Sequence, residues 1–259
     1  MTTADTAIDW AGWLHRWDAQ QTGFIPTREA RFAVMFDAIE TLIGSEFVAL
    51  DLACGPGSLS QRLLDRFPDA RAVALDIDPV LLALGQNALG TMNGRLRWVD
   101  ADLNRPEWLQ ALGESSVDVV LSTTALHWLS PAALLRVCRE FGGIIRPGGL
   151  FFNGDNMRFG PDMPSFEKVG QARRERLWSK ESFAERGVET WEDWWEAIGR
   201  EPGMAELVAE RDRRFAPYAS ERGTSPIYDV HVAGLRDAGF REAGTLWQNG
   251  TNRVLMGVR

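Results

Sequence analysis

The sequence predicts an α/β fold: a mostly parallel, seven-stranded sheet closed by an antiparallel C-terminal hairpin, preceded by helices and interrupted by a helical insertion. Three observations carry this. Between residues 48 and 153, short apolar runs alternate with segments of helical spacing, the rhythm of parallel strands joined by crossover helices. The first run, Val48 to Leu52, ends in the turn Cys54-Gly55-Pro56-Gly57, which opens a helix. The last two runs are joined through Asn249-Gly250-Thr251-Asn252, and Asn-Gly is a strong hairpin signal.

Residues 7 to 43 read as helical, broken at Ile25-Pro26-Thr27. Trp10, Trp13, Leu14 and Trp17 recur at three- and four-residue spacing, and Phe32, Met35, Phe36, Ile39 and Leu42-Ile43 share a face further on. The tryptophan stripe has two readings: core packing, or an aromatic cover over a ligand bound at the first strand. Gln20, Gln21 and Arg28 flank the break, within reach of such a ligand. In the glycine turn, Gly55 and Gly57 permit a sharp bend and close approach of a ligand to the backbone. Ser58 reads as the N-cap of the helix that follows. The helix N-terminus offers unpaired N–H groups and a positive dipole end. In an open α/β sheet this is where a nucleotide-like ligand binds.

Arg71 to Asp76 is the second strand. Asp76 falls nineteen residues after Gly57, close to the spacing of about 20 at which an acid bonds ribose hydroxyls. Ile77 is placed to pack on an adenine face. Asp78-Pro79 reads as N-cap and first residue of the next helix. Leu96 to Val99 is a third strand. In Asp100-Ala101-Asp102-Leu103 beyond it, either Asp102 or Asp100 can accept an adenine amino hydrogen. Val117 to Ser122 is the fourth strand, and the loop Thr123 to Leu129 leads to a helix that begins at Ser130-Pro131 and runs to about Ile145. Arg146-Pro147-Gly148-Gly149 reads as a turn before a fifth strand, Leu150 to Asn153. Residues 154 to 225 break the rhythm; they are charged, Trp-rich and helical in pattern. Pro226 to Ala238 is the last helix, stopped by Gly239. Phe240 to Gln248 and Arg253 to Val258 form the hairpin.

Composition narrows the function. The 259 residues allow one α/β domain with an insertion, or two small domains, and 45% hydrophobic residues suffice for a core. A net charge of −8 argues against nucleic acid or an anionic membrane as partner. No apolar run approaches the ~18 residues of a membrane span. Met1 to Asp5 lacks the basic and apolar regions of a secretory signal, so a cytoplasmic location is expected. Cys54 and Cys138 are too few for a disulfide framework or zinc site. Cys54 reads as a small buried residue, and no metal site is expected.

Asp51-Leu52-Ala53-Cys54-Gly55-Pro56-Gly57 resembles the D/E-x-x-x-G-x-G motif of class I S-adenosylmethionine (SAM)-dependent methyltransferases. An acid at Asp51 suits an ammonium better than a pyrophosphate, and Ser60 stands where a dinucleotide fingerprint has its third small residue. A second passage, Leu126-His127-Trp128 followed by a helix and Pro147-Gly148-Gly149, resembles small-molecule methyltransferases. It is similar to the trans-aconitate and malonyl-carrier methyltransferases, which carry Leu-Gln-Trp in that loop. The resemblance covers about residues 46 to 153 and 226 to 259. It implies a Rossmann-like methyltransferase fold: residues 1–45 as a helical cover, 46–153 as the cofactor core, 154–225 as a lid, and 226–259 completing the core.

The resemblance also implies SAM as cofactor, contacted by Asp51, Ala53, Cys54, Gly55, Gly57, Asp76, Ile77, Asp102, Leu103 and Thr123. The reaction it implies is in-line methyl transfer to O, N or C of a small metabolite. His127, beside the expected transfer point, is either the general base or a structural histidine. His15 and His231 read as structural, and Asp155 and Asn156 as candidates to bind substrate. The implied partner is a small-molecule acceptor, without nucleic acid or membrane, in a monomer or homodimer. Two other readings remain: a nicotinamide-dependent oxidoreductase, disfavoured by Asp51, Ser60 and the hairpin, and a non-catalytic SAM-binding scaffold.

Overall fold

The computed structural model describes residues 8–221 and 226–259. The reading of Met1 to Asp5, the first residue of the N-terminal helical segment and the last four of the insertion lie outside the described residues.

Helices α1 (Trp10–Phe24) and α2 (Arg28–Leu42) precede the sheet and are separated at Ile25-Pro26-Thr27 as expected. The alternation that follows is β1 (Val48–Leu52), α3 (Ser58–Arg66), β2 (Arg71–Asp76), α4 (Pro79–Leu89), β3 (Leu96–Asp100), α5 (Trp108–Leu112), β4 (Val117–Thr123), α6 (Pro131–Ile144) and β5 (Ile145–Asn156). The insertion holds α7 (Pro164–Leu177), α8 (Lys180–Arg186), α9 (Trp191–Gly199) and α10 (Ala205–Phe215). The chain returns through α11 (Tyr228–Asp237) to β6 (Glu242–Asn249) and β7 (Asn252–Val258).

The sheet order is β3-β2-β1-β4-β5-β7-β6. Strands β1 to β5 pair in parallel, and β7 pairs antiparallel with both β5 and β6. The order reverses between β1 and β4. The crevice beyond their carboxyl ends is the switch point at which open α/β sheets bind ligands.

Because side chains alternate along a strand, the sheet has two apolar faces. Ala49, Ala74, Leu121 and Phe152 pack under α2 and α3, and Leu50, Leu75, Val120 and Phe151 pack under α5, α6 and α11. A third cluster joins Trp13, Leu14 and Trp17 of α1 to Leu81 and Leu84 of α4 and Trp194 and Ile198 of α9. Trp13 and Trp17 of the tryptophan stripe are thus core, and they fasten α9 of the insertion to α4.

Four sequence expectations are corrected. Ser58 is the first residue of α3, and Gly57 (φ 79°) takes the N-cap position because the turn needs a left-handed backbone there. Arg146-Pro147-Gly148-Gly149 is not a separate turn. It lies within β5, beside a register shift between Val117 and Val119 that accommodates it. Strand β5 also continues past Asn153 to Asn156, because β7 pairs with it along residues 150–156. Helix α5 has no counterpart in the sequence reading; Trp108 and Leu112 anchor it in the core.

Candidate functional site

The β1–α3 turn is held by carboxylates from below and by helix α1 from above. Asp76, at the end of β2, accepts the Gly55 N–H at 2.7 Å on one oxygen and the Asp78 N–H at 2.8 Å on the other. Asp18 of α1 accepts from Ser58 Oγ at 2.7 Å, Arg28 at 2.8 Å and Arg62 at 3.0 Å, tying α1, α2 and α3 together over the turn. A Cβ on Gly55 would meet only ordinary contacts, the nearest at 3.8 Å. A Cβ on Gly57 would strike the Trp98 ring at 2.5 Å, so that side of Gly57 is filled by packing and closed to a ligand. Cys54 is buried, and burial raises its thiol well above the usual range, which leaves it inert.

Asp51 is 1% exposed. One oxygen accepts from Ser60 Oγ at 2.7 Å, and the other has no partner among the described residues. The serine that departs from the dinucleotide fingerprint therefore orients the acid. Burial pushes Asp51 up to about 6, opposed by the Ser60 hydrogen bond. Burial and then the neighbouring Asp78 carboxylate push Asp76 up to about 7. Gln20 of α1 is fully buried, and its Nε2 also has no partner among the described residues. An orphaned acceptor and an orphaned donor, both buried, are costly unless a ligand completes them.

The opposite wall is the loop after β4. Thr124 adopts φ 56° and Ala53, in the facing turn, φ 53°. Left-handed backbone at non-glycine residues is strained, and such strain collects at functional sites. Thr123 Oγ1 donates to the Gly154 carbonyl at 3.2 Å. His127 lies in the 3-10 turn Leu126–Trp128, and its Nδ1 sits 3.0 Å from both oxygens of Asp155. Its backbone N–H also reaches Asp155, at 3.3 Å. Asp155 is 1% exposed and fully engaged, so it orients His127 and is not open to substrate, correcting the expectation that it binds one. Burial lowers the His127 pKa, but the charge of Asp155 and its hydrogen bond together outweigh burial and hold the imidazole above 6.5. Asp155 is itself held down to about 2; burial opposes this and the charges of His127 and Arg31 prevail.

The residues expected on an adenosine side are engaged by the insertion. Asp78 caps α4 through the Val80 and Leu81 N–H groups and pairs with Arg211 of α10 at 2.7 Å. Arg214 reaches the Ile77 carbonyl at 2.9 Å and Asp100 at 2.6 Å. Asp102 accepts the Tyr218 hydroxyl and the Asn104 N–H. Ile77 is half-buried at the crevice, and Leu103 is buried in the core with Val99 and Trp108. His15 is exposed. His231 is buried beside Asn153, and burial lowers it to about 4. The sequence reading missed Tyr218, Arg211, Arg214 and Arg31. Only Arg31 left a signal, as a charge four residues before Met35 on an apolar helix face.

Residues 49–149 match the family described as "Methyltransferase domain". The chain is 29% identical over 135 residues to a trans-aconitate 2-methyltransferase of Azoarcus sp. (strain BH72), covering 52% of this chain and 48% of that protein. It is 26% identical over 178 residues to a malonyl-[acyl-carrier protein] O-methyltransferase of Paenibacillus sp. (strain JDR-2), covering 67% and 60%. The chain thus spans about half the length of the curated relatives it matches. Its fold is shared with an O-methyltransferase family protein from Burkholderia thailandensis, 16% identical, with a TM-score of 0.55 over 99% of this chain and 74% of that one. Residues 49–149 are thus similar to a methyltransferase domain, and the relatives named are methyltransferases. Among the described residues no helix is long and apolar enough to cross a membrane, and no group of three His, Cys, Asp or Glu side chains is placed to hold a metal.

Proposed function

We propose that this protein transfers a methyl group from SAM to an oxygen, nitrogen or carbon of a small acceptor, with His127 as general base. The observation that carries the reading is the buried, unpartnered oxygen of Asp51 at the switch point. An ammonium completes it, and the methionine end of SAM is an amino-acid zwitterion. Gln20 Nε2 and the Arg28 guanidinium, which lends Asp51 a favourable charge, suit the carboxylate of the same zwitterion. Asp76 retains lone pairs for ribose hydroxyls beyond its two backbone bonds. When bound, SAM supplies an electrophilic methyl on its sulfonium. The chain's own contribution is to orient the acceptor, exclude water and take a proton on His127 Nε2 while Asp155 holds Nδ1. The test is transfer of labelled methyl from SAM to a panel of small hydroxy and amino compounds. Label on a small product supports the reading; cofactor binding without turnover on any acceptor, including a cell extract, favours the scaffold.

The insertion is proposed to act as a lid. Arg211 and Arg214 of α10 pair with Asp78 and Asp100, and Tyr218, just beyond α10, donates to Asp102, all beside the expected adenosine site. The Arg214–Asp100 ion pair is partly exposed, so salt weakens it. Hydrogen exchange in residues 205–221 is expected to be faster at 0.5 M salt than at 0.05 M in the free protein, and to slow when S-adenosylhomocysteine and acceptor are both bound. Identical exchange in all states favours a fixed subdomain.

A further inference from the structure

Arg31 is a buried cation without a hydrogen-bonded anion among the described residues. It lies in α2 and is 0% exposed. Nε donates to Asn252 Oδ1, and Nη1 donates to Thr124 Oγ1 at 3.1 Å and to the Gly154 carbonyl at 2.9 Å. Nη2 has no partner among the described residues. All three acceptors are neutral. Asp155 supports the guanidinium's charge from further off, but its oxygens are taken by the His127 ring, the His127 N–H and the Asn156 N–H. Buried arginines are ordinarily paired with a carboxylate. Burial brings Arg31 down to about 10, which leaves it charged at neutral pH.

A cavity of about 80 Å³ opens beside Asn252, the residue that holds Nε of Arg31. One water needs roughly 10–15 Å³ on this scale, so a ligand fragment fits. Its polar side is Asn156, Thr251 and Arg173, and its apolar side is Phe24 and Trp178. Arg173 makes no ion pair among the described residues, whereas its neighbour Arg174 is neutralised by Glu167 at 2.8 Å. Asn156 follows Asp155 at the end of β5 and its side chain leaves the opposite face, so the cavity lies at that strand end on the α2 side, the side of Arg31.

We propose that Arg31 and this cavity form the acceptor's anion subsite. A carboxylate of the acceptor takes Nη2 of Arg31, its carbon body lies along Phe24 and Trp178, and its reacting hydroxyl or amine points toward His127. The acceptor is then a small hydroxy or amino acid in the chemical sense, carrying an anion apart from the atom that is methylated. This inference rests on the methyl-transfer reading above. The same anion-binding chemistry has a second source, the carboxylate of the cofactor itself, and the experiment separates the two.

Protein saturated with S-adenosylhomocysteine is titrated calorimetrically with benzoate and with benzamide, which match in shape and differ in charge. Benzoate is expected to bind at least tenfold more tightly than benzamide. R31Q is expected to weaken benzoate by about ten- to a hundredfold, the worth of a lost charge-assisted hydrogen bond, with affinity for S-adenosylhomocysteine kept within twofold. R31K keeps the charge but loses the planar fork; it should fall between, and it serves if R31Q does not fold. Equal affinity for the two probes, or binding of neither, overturns the subsite. A tenfold loss of S-adenosylhomocysteine affinity in R31Q assigns the anion to the cofactor and also overturns it. Failure of the native chain to bind S-adenosylhomocysteine is seen before either probe is added and counts against methyl transfer instead. Benzoate and benzamide are then titrated into the free protein, where the same outcomes decide the subsite.

Discussion

His127→Gln is expected to keep cofactor affinity and to cut kcat by about 10²–10⁴, the usual contribution of a general base. Glutamine keeps a polar group in the loop but takes no proton. The geometry sets the accompanying pH effect. Asp155, held down to about 2, stays ionised throughout the working range and raises the His127 pKa above 6.5 against the pull of burial. The base must be neutral to act, so the rate of the native enzyme falls as pH drops through that raised pKa. The acid limb should vanish in the variant. A His127→Gln enzyme with near-normal kcat and the same acid limb would assign His127 to structure and return the base role to another residue.

Trp194→Ala is expected to cost about 3–5 kcal/mol of stability in urea unfolding, the range for truncating a buried aromatic. Trp194 is 0% exposed and packs edge-on against Trp17 at 4.9 Å, Trp195 at 5.0 Å and Trp13 at 5.8 Å. These rings join α9 of the insertion to α1, and α1 is tied through Asp18 to the β1–α3 turn. Loss of the ring should therefore also weaken cofactor binding. Trp194→Phe should cost far less, because the indole Nε1 has no hydrogen-bond partner among the described residues. A cost below about 1 kcal/mol for the alanine variant would contradict the core assignment.

The proposed cofactor half of the site was legible because it is local. Asp51, Gly55 and Ser60 lie within one strand–turn–helix unit, and Asp76 follows at a spacing set by one crossover. The proposed catalytic half was not, because it is made by strand pairing. His127 and Asp155 meet only because β4 and β5 are neighbours, with Thr123 opposite Gly154. Gly154 interrupts the apolar run, so the strand seemed to stop before Asp155. The α10 contacts were invisible for another reason: Arg211 and Arg214 in a charged helix read as a solvated face. Arg28 and Arg31 fall on the apolar stripe of α2, where a charge conflicts with the helix's own burial pattern. Such conflicts between local pattern and placement mark functional sites.

The switch-point crevice is proposed to hold SAM through Asp51 and Asp76. Calorimetry of S-adenosylhomocysteine at pH 5.5 and pH 8, with NAD as the competing ligand, tests it most directly. In the free protein burial raises Asp51 to about 6 and Asp76 to about 7, so both are substantially protonated at pH 5.5. Binding an ammonium and ribose hydroxyls favours the ionised forms and so releases protons at the lower pH. The account predicts one site per chain, affinity that rises with pH and levels off above about 7, proton release at pH 5.5, and no comparable binding of NAD. Binding of NAD without S-adenosylhomocysteine, or S-adenosylhomocysteine affinity that is flat across this range, would contradict it.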